Sequence, residues 1–230
     1  MPVPSPAPLR DLPSVFHAIP LREGGDALAR AVALAPERGA GTLAWVSAYA
    51  RAEAAVVLEP ELPLGAARLA FLAAANALAD ALVVLGPPEA AVALRWPGTL
   101  LVNGATCGRL LLASPPDAAE ASMPAWLVVG FEVALAFPAG QEPGLDPGRT
   151  CLEEEGFEAL TGAALTATWA RHLMAWLDQW QARGPRRLSE DFLARLLDFR
   201  DEAGLRRGID PASGALVLER DGSRRHVSLA

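Results

Sequence analysis

Arg95–Gly108 reads R-W-P-G-T-L-L-V-N-G-A-T-C-G, and the fold is decided here. The stretch opens on a basic, aromatic corner closed by proline. An apolar run follows, then Asn103-Gly104, then a second β-prone run. Asn and Gly accept positive φ more readily than other residues, so Asn-Gly between two such runs marks a tight hairpin turn. The pattern predicts strands at Val92–Arg95, Leu100–Asn103 and Arg109–Ala113.

Upstream of this hairpin, Gly65–Leu85 is apolar on most faces and ends at Gly86-Pro87-Pro88. A helix greasy all round is a buried one. Two further β-prone runs, Thr42–Val46 and Ala54–Leu58, flank a short connection at Ser47–Glu53, which predicts a second hairpin. Before them lie a short strand at Val15–Ile19 and a helix capped by Asp26 that runs to about Leu34, with Pro36 and Gly39 closing it. Downstream, Trp126–Phe137 is an apolar strand broken by Glu132. Ser114–Pro124 and Pro138–Arg149 read as loops. Thr161–Gln181 places Leu165, Trp169, His172, Leu173, Trp176 and Trp180 on one helical stripe. Ser189 reads as the N-cap of a helix to about Phe199, and Gly208–Val227 as a hairpin turning at Asp221-Gly222.

This order predicts an α+β fold: a mixed β-sheet with helices packed on one side and a small C-terminal β segment. Three parts are expected: a flexible N-terminal arm (1–14), a main domain (15–184) and a small appendage of helix plus β-hairpin (185–230). The 230 residues suffice for one sizeable core. The net charge of −7 and the lack of a basic cluster with interleaved aromatics argue against nucleic-acid binding. Leu69–Leu85 is short for a bilayer span and holds Asn76 and Asp80. Cys107 and Cys151 match neither a metal pattern nor a disulfide framework. No signal-peptide order opens the chain, so a soluble, cytoplasmic protein without a bound metal cluster is expected.

Several motifs together resemble the biotin/lipoate protein ligase superfamily. Arg95-Trp96-Pro97 is similar to the start of that family's K-W-P-N-D. Trp126–Ala134 (W-L-V-V-G-F-E-V-A) stands where the family has its V-V-I-G-I-G-I-N strand. Thr150–Gly156 (T-C-L-E-E-E-G) resembles T-S-L-x-E-E-x-G, and Gly208–Leu218 resembles the C-terminal G-I-D-x-x-G-x-L-x-L hairpin. The resemblance spans roughly Val15 to Val227, and is nearest to a bacterial subgroup of uncharacterised function. It implies a ligase-like (class II synthetase-like) fold. It also implies a small carboxylic acid ligand (biotin, lipoate or octanoate), ATP or an acyl-adenylate, and a biotinyl or lipoyl carrier domain as partner. With too little chain ahead of Val15 for a helix-turn-helix module, the DNA-binding role of some members is not expected. The apolar edge strands permit a homodimer without requiring one.

The departures bear on activity. The chain has no lysine: all twenty basic residues are Arg. The lysine of the family's K-x-A-G falls on Ala105, and the Asn of G-I-G-I-N on Ala134. The Asn and Asp of K-W-P-N-D become Gly98 and Thr99. Ser47–Glu53, with Arg51 as its one cation, replaces a Gly/Arg-rich loop. Joining a carboxylate to the α-phosphate of ATP brings two anions together, and losing one preorganised donor typically costs about 3–4 kcal/mol. Arginine does not simply replace lysine at a site shaped for a point charge.

The ligand-binding candidates are Arg95, Trp96, Asn103, Gly104, Gly108, Arg109 and Glu132. Each has a plainer reading: Arg95 as a surface cation, Trp96 as core, Asn103-Gly104 as turn, Gly108 as a strand glycine at a bulge, Arg109 as solvent-facing and Glu132 as an edge residue. Cys107 is a candidate nucleophile if a cation lowers its pKa, and otherwise a buried structural thiol. His172, on the Trp stripe, reads as a core or edge histidine rather than a catalytic one. The expected function is a divergent ligase-like protein that binds a small carboxylic acid or acyl-adenylate without standard ATP-dependent activity. The alternatives are an inactive binding or regulatory module and a Cys-dependent acyltransferase.

Overall fold

A computed structural model describes residues 9–138, 140, 144 and 146–229. Strands β1 (His17–Leu21), β2 (Thr42–Ser47), β3 (Arg51–Leu58), β4 (Val92–Arg95), β5 (Thr99–Val102), β6 (Ala105–Ala113) and β7 (Leu127–Ala134) form one sheet. Their order is β1-β2-β3-β7-β6-β5-β4. β1 runs parallel to β2, and the remaining pairings are antiparallel. The mixed sheet and the α+β class are as the sequence predicts. The strand expected at Val15–Ile19 lies two residues further on.

Alternation along the strands separates two cores. Leu43 and Trp45 of β2, Ala54 and Val56 of β3, and Val129 and Phe131 of β7 share a large core with helices α3 (Leu69–Leu85) and α4 (Gly162–Arg183). Ala44, Val46, Ala55, Val57 and Val128 face the other way, onto α1 (Ala27–Arg38). Helices therefore cover both faces, and the expected one-sided packing needs this correction. The central strands are apolar at successive positions because both of their faces are buried. α1 also continues past Pro36 to Arg38, with Gly39 N–H closing on Ala35 O at 3.1 Å.

The predicted Gly65–Leu85 helix is two pieces, α2 (Leu64–Ala67) and α3, joined at Arg68. Its length and hydropathy would suffice to cross a membrane, but most of it is buried inside the protein. Its two polar interruptions hold the C-terminal region in place. Asn76, fully buried, donates to Leu188 O at 3.0 Å and accepts from Arg195 at 3.0 Å. Asp80 pairs with Arg195 and accepts from Trp176 Nε1 at 2.7 Å. Trp169 Nε1 donates to Ala74 O at 3.1 Å, and its ring meets Phe131 edge-on at 5.0 Å.

Helix α5 (Arg186–Arg195) starts after Pro185, so Ser189 lies inside it and is not its cap. The pairs Arg186–Glu190 and Arg187–Asp191 fit the i,i+4 spacing of a helix already begun. The C-terminal sheet has three strands, β8 (Arg206–Ile209), β9 (Leu216–Arg220) and β10 (Ser223–Val227). Two were expected; β8 escapes pattern reading because it is short and begins with two arginines. Leu188, Phe192, Leu216 and Leu218 all join the main core. At the other end, residues 1–8 of the expected arm lie outside the described residues. Leu9 and Leu12 pack on the core, and Arg171 donates to Asp11 O at 3.1 Å.

Replacing Asn76 with Ala strands the Leu188 carbonyl and one Arg195 contact in a buried setting. Asn76→Ala is expected to lower unfolding free energy by about 2 kcal/mol, read as a lower urea midpoint at unchanged slope. An unmoved midpoint would contradict this account of the helix.

Candidate ligand-binding cleft

β3, β7 and β6 lie side by side, and their register lines up charge across the sheet. Glu53 of β3 stands opposite Glu132 of β7, which stands opposite Arg109 of β6. Arg109 Nη2 reaches Glu132 Oε2 at 2.8 Å, on a partly exposed surface. Arg51 lies on the same face of β3 as Glu53, with its Nη2 3.2 Å from Glu53 Oε2. These strands floor an open cleft of about 710 Å³. Its walls are Glu23, Ala48 and Ala50 from the β2–β3 turn, Ala136–Pro138 after β7, and Arg149-Thr150.

The segment leading into α1 borders one side through Glu23, and the start of α1 is tied to the sheet beside it. Asp26 accepts from Ala29 N at 2.8 Å, and Glu53 Oε1 accepts from Ala27 N at 2.6 Å. Arg51 Nη2 donates to Gly25 O at 2.5 Å. Glu53 thus ties the helix start to the sheet. Burial raises its carboxyl above the usual carboxylate range, opposed by the Ala27 N–H and by Arg51, and reinforced by Asp26 and Glu132.

Of the sequence candidates, Cys107, Gly108, Arg109 and Glu132 line this cleft, and Arg95, Trp96, Asn103 and Gly104 do not. Trp96 turns towards the C-terminal region: its Nε1 donates to Ser228 O at 3.0 Å, its ring meets Phe192 edge-on at 6.0 Å, and its backbone N donates to Asp198 at 2.5 Å. Arg95 is exposed at the end of β4. Asn103 and Gly104 form the predicted turn, at φ 49° and 88°. The Asn103 amide works structurally, accepting from Ala91 N and donating to Glu155 at 2.6 Å. Glu155 also accepts from Thr150 at 2.5 Å, so the last carboxylate of T-C-L-E-E-E-G anchors this segment.

Gly108 is needed by the sheet itself. A Cβ there would stand 2.3 Å from Glu132 O, a contact real side chains do not make. Next to it, the β5–β6 register skips Cys107: Leu100 faces Gly108 and Leu101 faces Thr106. Cys107 is therefore the extra residue of a β-bulge. It is 3% exposed, and its Sγ contacts Ala134 O at 3.6 Å. Burial, with smaller contributions from Cys151 and Glu155, pushes the thiol up to about 12. A thiol so protonated is a poor nucleophile, and this geometry disfavours the Cys-dependent acyltransferase.

Sequence reasoning did not single out Arg51, Thr106, Arg149 or Thr150 as site residues, yet all four line the cleft. The segment 148–150 runs alongside β6: Thr106 N donates to Gly148 O and Thr150 N to Thr106 O, both at 2.9 Å. Part of the expected Pro138–Arg149 loop (139, 141–143 and 145) lies outside the described residues. The signal available was Arg149 standing directly before the T-C-L-E-E-E-G motif. Among the described residues, no group of three or more His, Cys, Asp or Glu is placed to hold a metal ion.

Comparison with known proteins agrees with the architecture. The model of the biotin/lipoate A/B protein ligase family matches residues 12–194. A protein of Paracoccus denitrificans described as biotin–[acetyl-CoA-carboxylase] ligase is 33% identical over 207 residues, covering 84% of each chain. A biotin protein ligase-like protein of unknown function from Silicibacter superposes with a TM-score of 0.81 at 30% identity, over 95% of this chain and 96% of that one. A biotin protein ligase mutant from Aquifex aeolicus, solved with biotin, superposes at 0.69 with 13% identity, over 93% and 96% of the two chains. That last likeness is one of fold.

Two outcomes follow from the cleft chemistry. At pH 8 Cys107 is expected to react with a thiol reagent far more slowly in the folded chain than in denaturant; rapid native labelling would contradict the buried, protonated thiol. Because the folded Glu53 pKa is raised, the folded chain binds more protons than the unfolded chain in the window just above pH 4.5. Stability from this group is present below that window and lost as pH rises through the folded pKa. Glu53→Gln keeps an acceptor for Ala27 N–H and is expected to flatten that loss, as read from melting temperatures between pH 4 and 7. An unchanged pH profile would count against it.

Proposed function

The chain belongs to the biotin/lipoate A/B protein ligase family, and from that premise we propose that the cleft over β3, β7 and β6 binds a small carboxylic acid and its acyl-adenylate. The observation that carries this reading is the cleft itself: about 710 Å³, with Arg51, Arg109 and Arg149 around it. The volume suits a small ligand, and arginine is suited to gripping carboxylate and phosphate oxygens. Biotin fits this chemistry, as do lipoate and octanoate; relatives by fold were solved with biotin, and with biotin and ATP.

In the reaction of such ligases, a carboxylate oxygen attacks the α-phosphorus of ATP and pyrophosphate leaves. The amine of a carrier lysine then attacks the acyl carbon and AMP leaves. The residues here are able to hold the anion and screen its charge. A lysine ammonium is not among them, and the β2–β3 turn is only Ala48–Ala50, too short to fold over a ligand. We therefore read ATP-dependent ligation as weakened or lost, with binding retained. The free thiols Cys107 and Cys151 suit a reducing compartment such as the cytoplasm.

A second reading is a working ligase that biotinylates a carrier domain, favoured by the name of the Paracoccus relative. A thermal-shift panel of biotin, lipoate, octanoate, ATP and non-hydrolysable acyl-adenylates tests binding. A ligand at a hundred times its Kd adds about 2.7 kcal/mol, or roughly 5–10 °C for a chain of this size. Such a shift without pyrophosphate release or transfer to a biotinyl carrier domain supports the first reading. Turnover with transfer supports the second, and a flat panel overturns both in favour of a module that acts without these ligands.

A further inference from the structure

We infer that Arg149 holds the anionic group of the ligand in this cleft, supplying the positive charge that a chain without lysine must find elsewhere. The inference rests on the acid- or adenylate-binding role proposed for the cleft. Three arginines line it, but two are already engaged. Arg109 is paired with Glu132 at 2.8 Å. Arg51 is held between Glu53 and the Gly25 carbonyl. Each of these pairs is close to neutral, so an incoming anion gains little from either without first breaking an existing contact.

Arg149 differs. Its guanidinium forms no ion pair among the described residues, and it is exposed at the rim of the cleft. Of the carboxylates near it in sequence, Asp146 accepts from Gly148 N at 3.0 Å, and Glu155 is taken up by Thr150 and Asn103. Glu23 also lines the cleft and is the acidic group without an ion pair among its described lining residues. It sits before α1, whereas Arg149 sits beside β6.

The placement of Arg149 is built in. Its backbone joins β6 as a parallel bridge to Thr106, fixed on both sides by hydrogen bonds of 2.9 Å. Thr106 immediately follows Ala105, where the family pattern has its lysine. Thr106 and Arg149 both line the cleft, so the bridge sets a cation at its edge from a segment outside the named strands. A guanidinium presents several donors in one plane and can grip two oxygens of a carboxylate or phosphate together. Its side chain is exposed and the bridge is made by backbone atoms alone, so its removal leaves the bridge in place.

The test is calorimetric titration of the full chain with biotin, with the acylsulfamate analogue of biotinyl-adenylate, and with neutral biotinamide. Arg149→Ala is expected to weaken both charged probes by about 10- to 100-fold, the range of a charge-assisted hydrogen bond, with no change for biotinamide. Arg149→Lys is expected to recover much of the loss, and wild-type affinity for the charged probes to fall more steeply with salt than that of Arg149→Ala. Melting temperatures without ligand should agree among the variants. Arg149→Gln keeps the length of the side chain and serves if the alanine variant loosens the segment. Equal affinity of wild type and both uncharged variants for the charged probes would overturn the role of Arg149 and leave the cleft intact as a binding site. Failure of wild type to bind any of the three probes would overturn the cleft reading and this inference with it.

Discussion

The pairing of β3 with β7 is the constraint on which the rest of the molecule depends. It runs unbroken from Arg51 opposite Ala134 to Leu58 opposite Leu127. It joins the β1-β2-β3 half of the sheet to the β7-β6-β5-β4 half. Gly130 is the point of closest approach: a Cβ there would lie 2.3 Å from Ala54 O and 3.0 Å from the Ala55 Cβ. One face of this seam carries Phe131 against Trp169 and the large helical core. The other carries apolar contacts to α1 at one end and charged residues at the other.

That change along one face turns a packing surface into a site. Where α1 covers the sheet, the strands present Ala55, Val57 and Val128. Where α1 begins and cover ends, the same face presents Arg51, Glu53 and Glu132. Glu53 sits at the boundary. It satisfies a backbone N–H at the start of α1 and partly neutralises Arg51, at the cost of a carboxyl made harder to ionise by burial. The cleft has a rigid strand floor and depends for its charge on residues at strand ends and in the adjoining loop. Sites of this kind vary readily in chemistry while the fold stays fixed.

Much of the fold was legible in local chemistry. Asn103-Gly104 adopts the positive φ angles its residues tolerate, Asp26 caps its helix, and Trp169, Leu173 and Trp176 of the helical stripe are buried. What escaped was set by tertiary contact. Pro36 was tolerated in the last turn of α1, and α5 began at Arg186 because paired charges supported it. A second helical layer could not be seen, since a strand apolar at every position does not say what covers each face. The site was legible by half. Both Glu132, conspicuous as a charge inside an apolar strand, and Arg109, which directly follows Gly108 of the hairpin motif, line the cleft. Trp96 follows its plainer reading as a packing residue, because the C-terminal region folds back over it. Arg149 lies distant in sequence from the hairpin it adjoins, and the bridge to Thr106 alone brings it in.

The central claim is that this face binds an acyl-adenylate-like anion beyond the N-terminus of α1. The most direct measurement is a crystal structure of the chain grown with the acylsulfamate analogue of biotinyl-adenylate. The account predicts the ligand lying over β3, β7 and β6, with its charged linkage within hydrogen-bonding distance of Arg149 and its ring system against the cleft walls. Ligand bound elsewhere, for example beside the Arg95–Pro97 corner, or a charged linkage turned away from every cleft arginine, would contradict it.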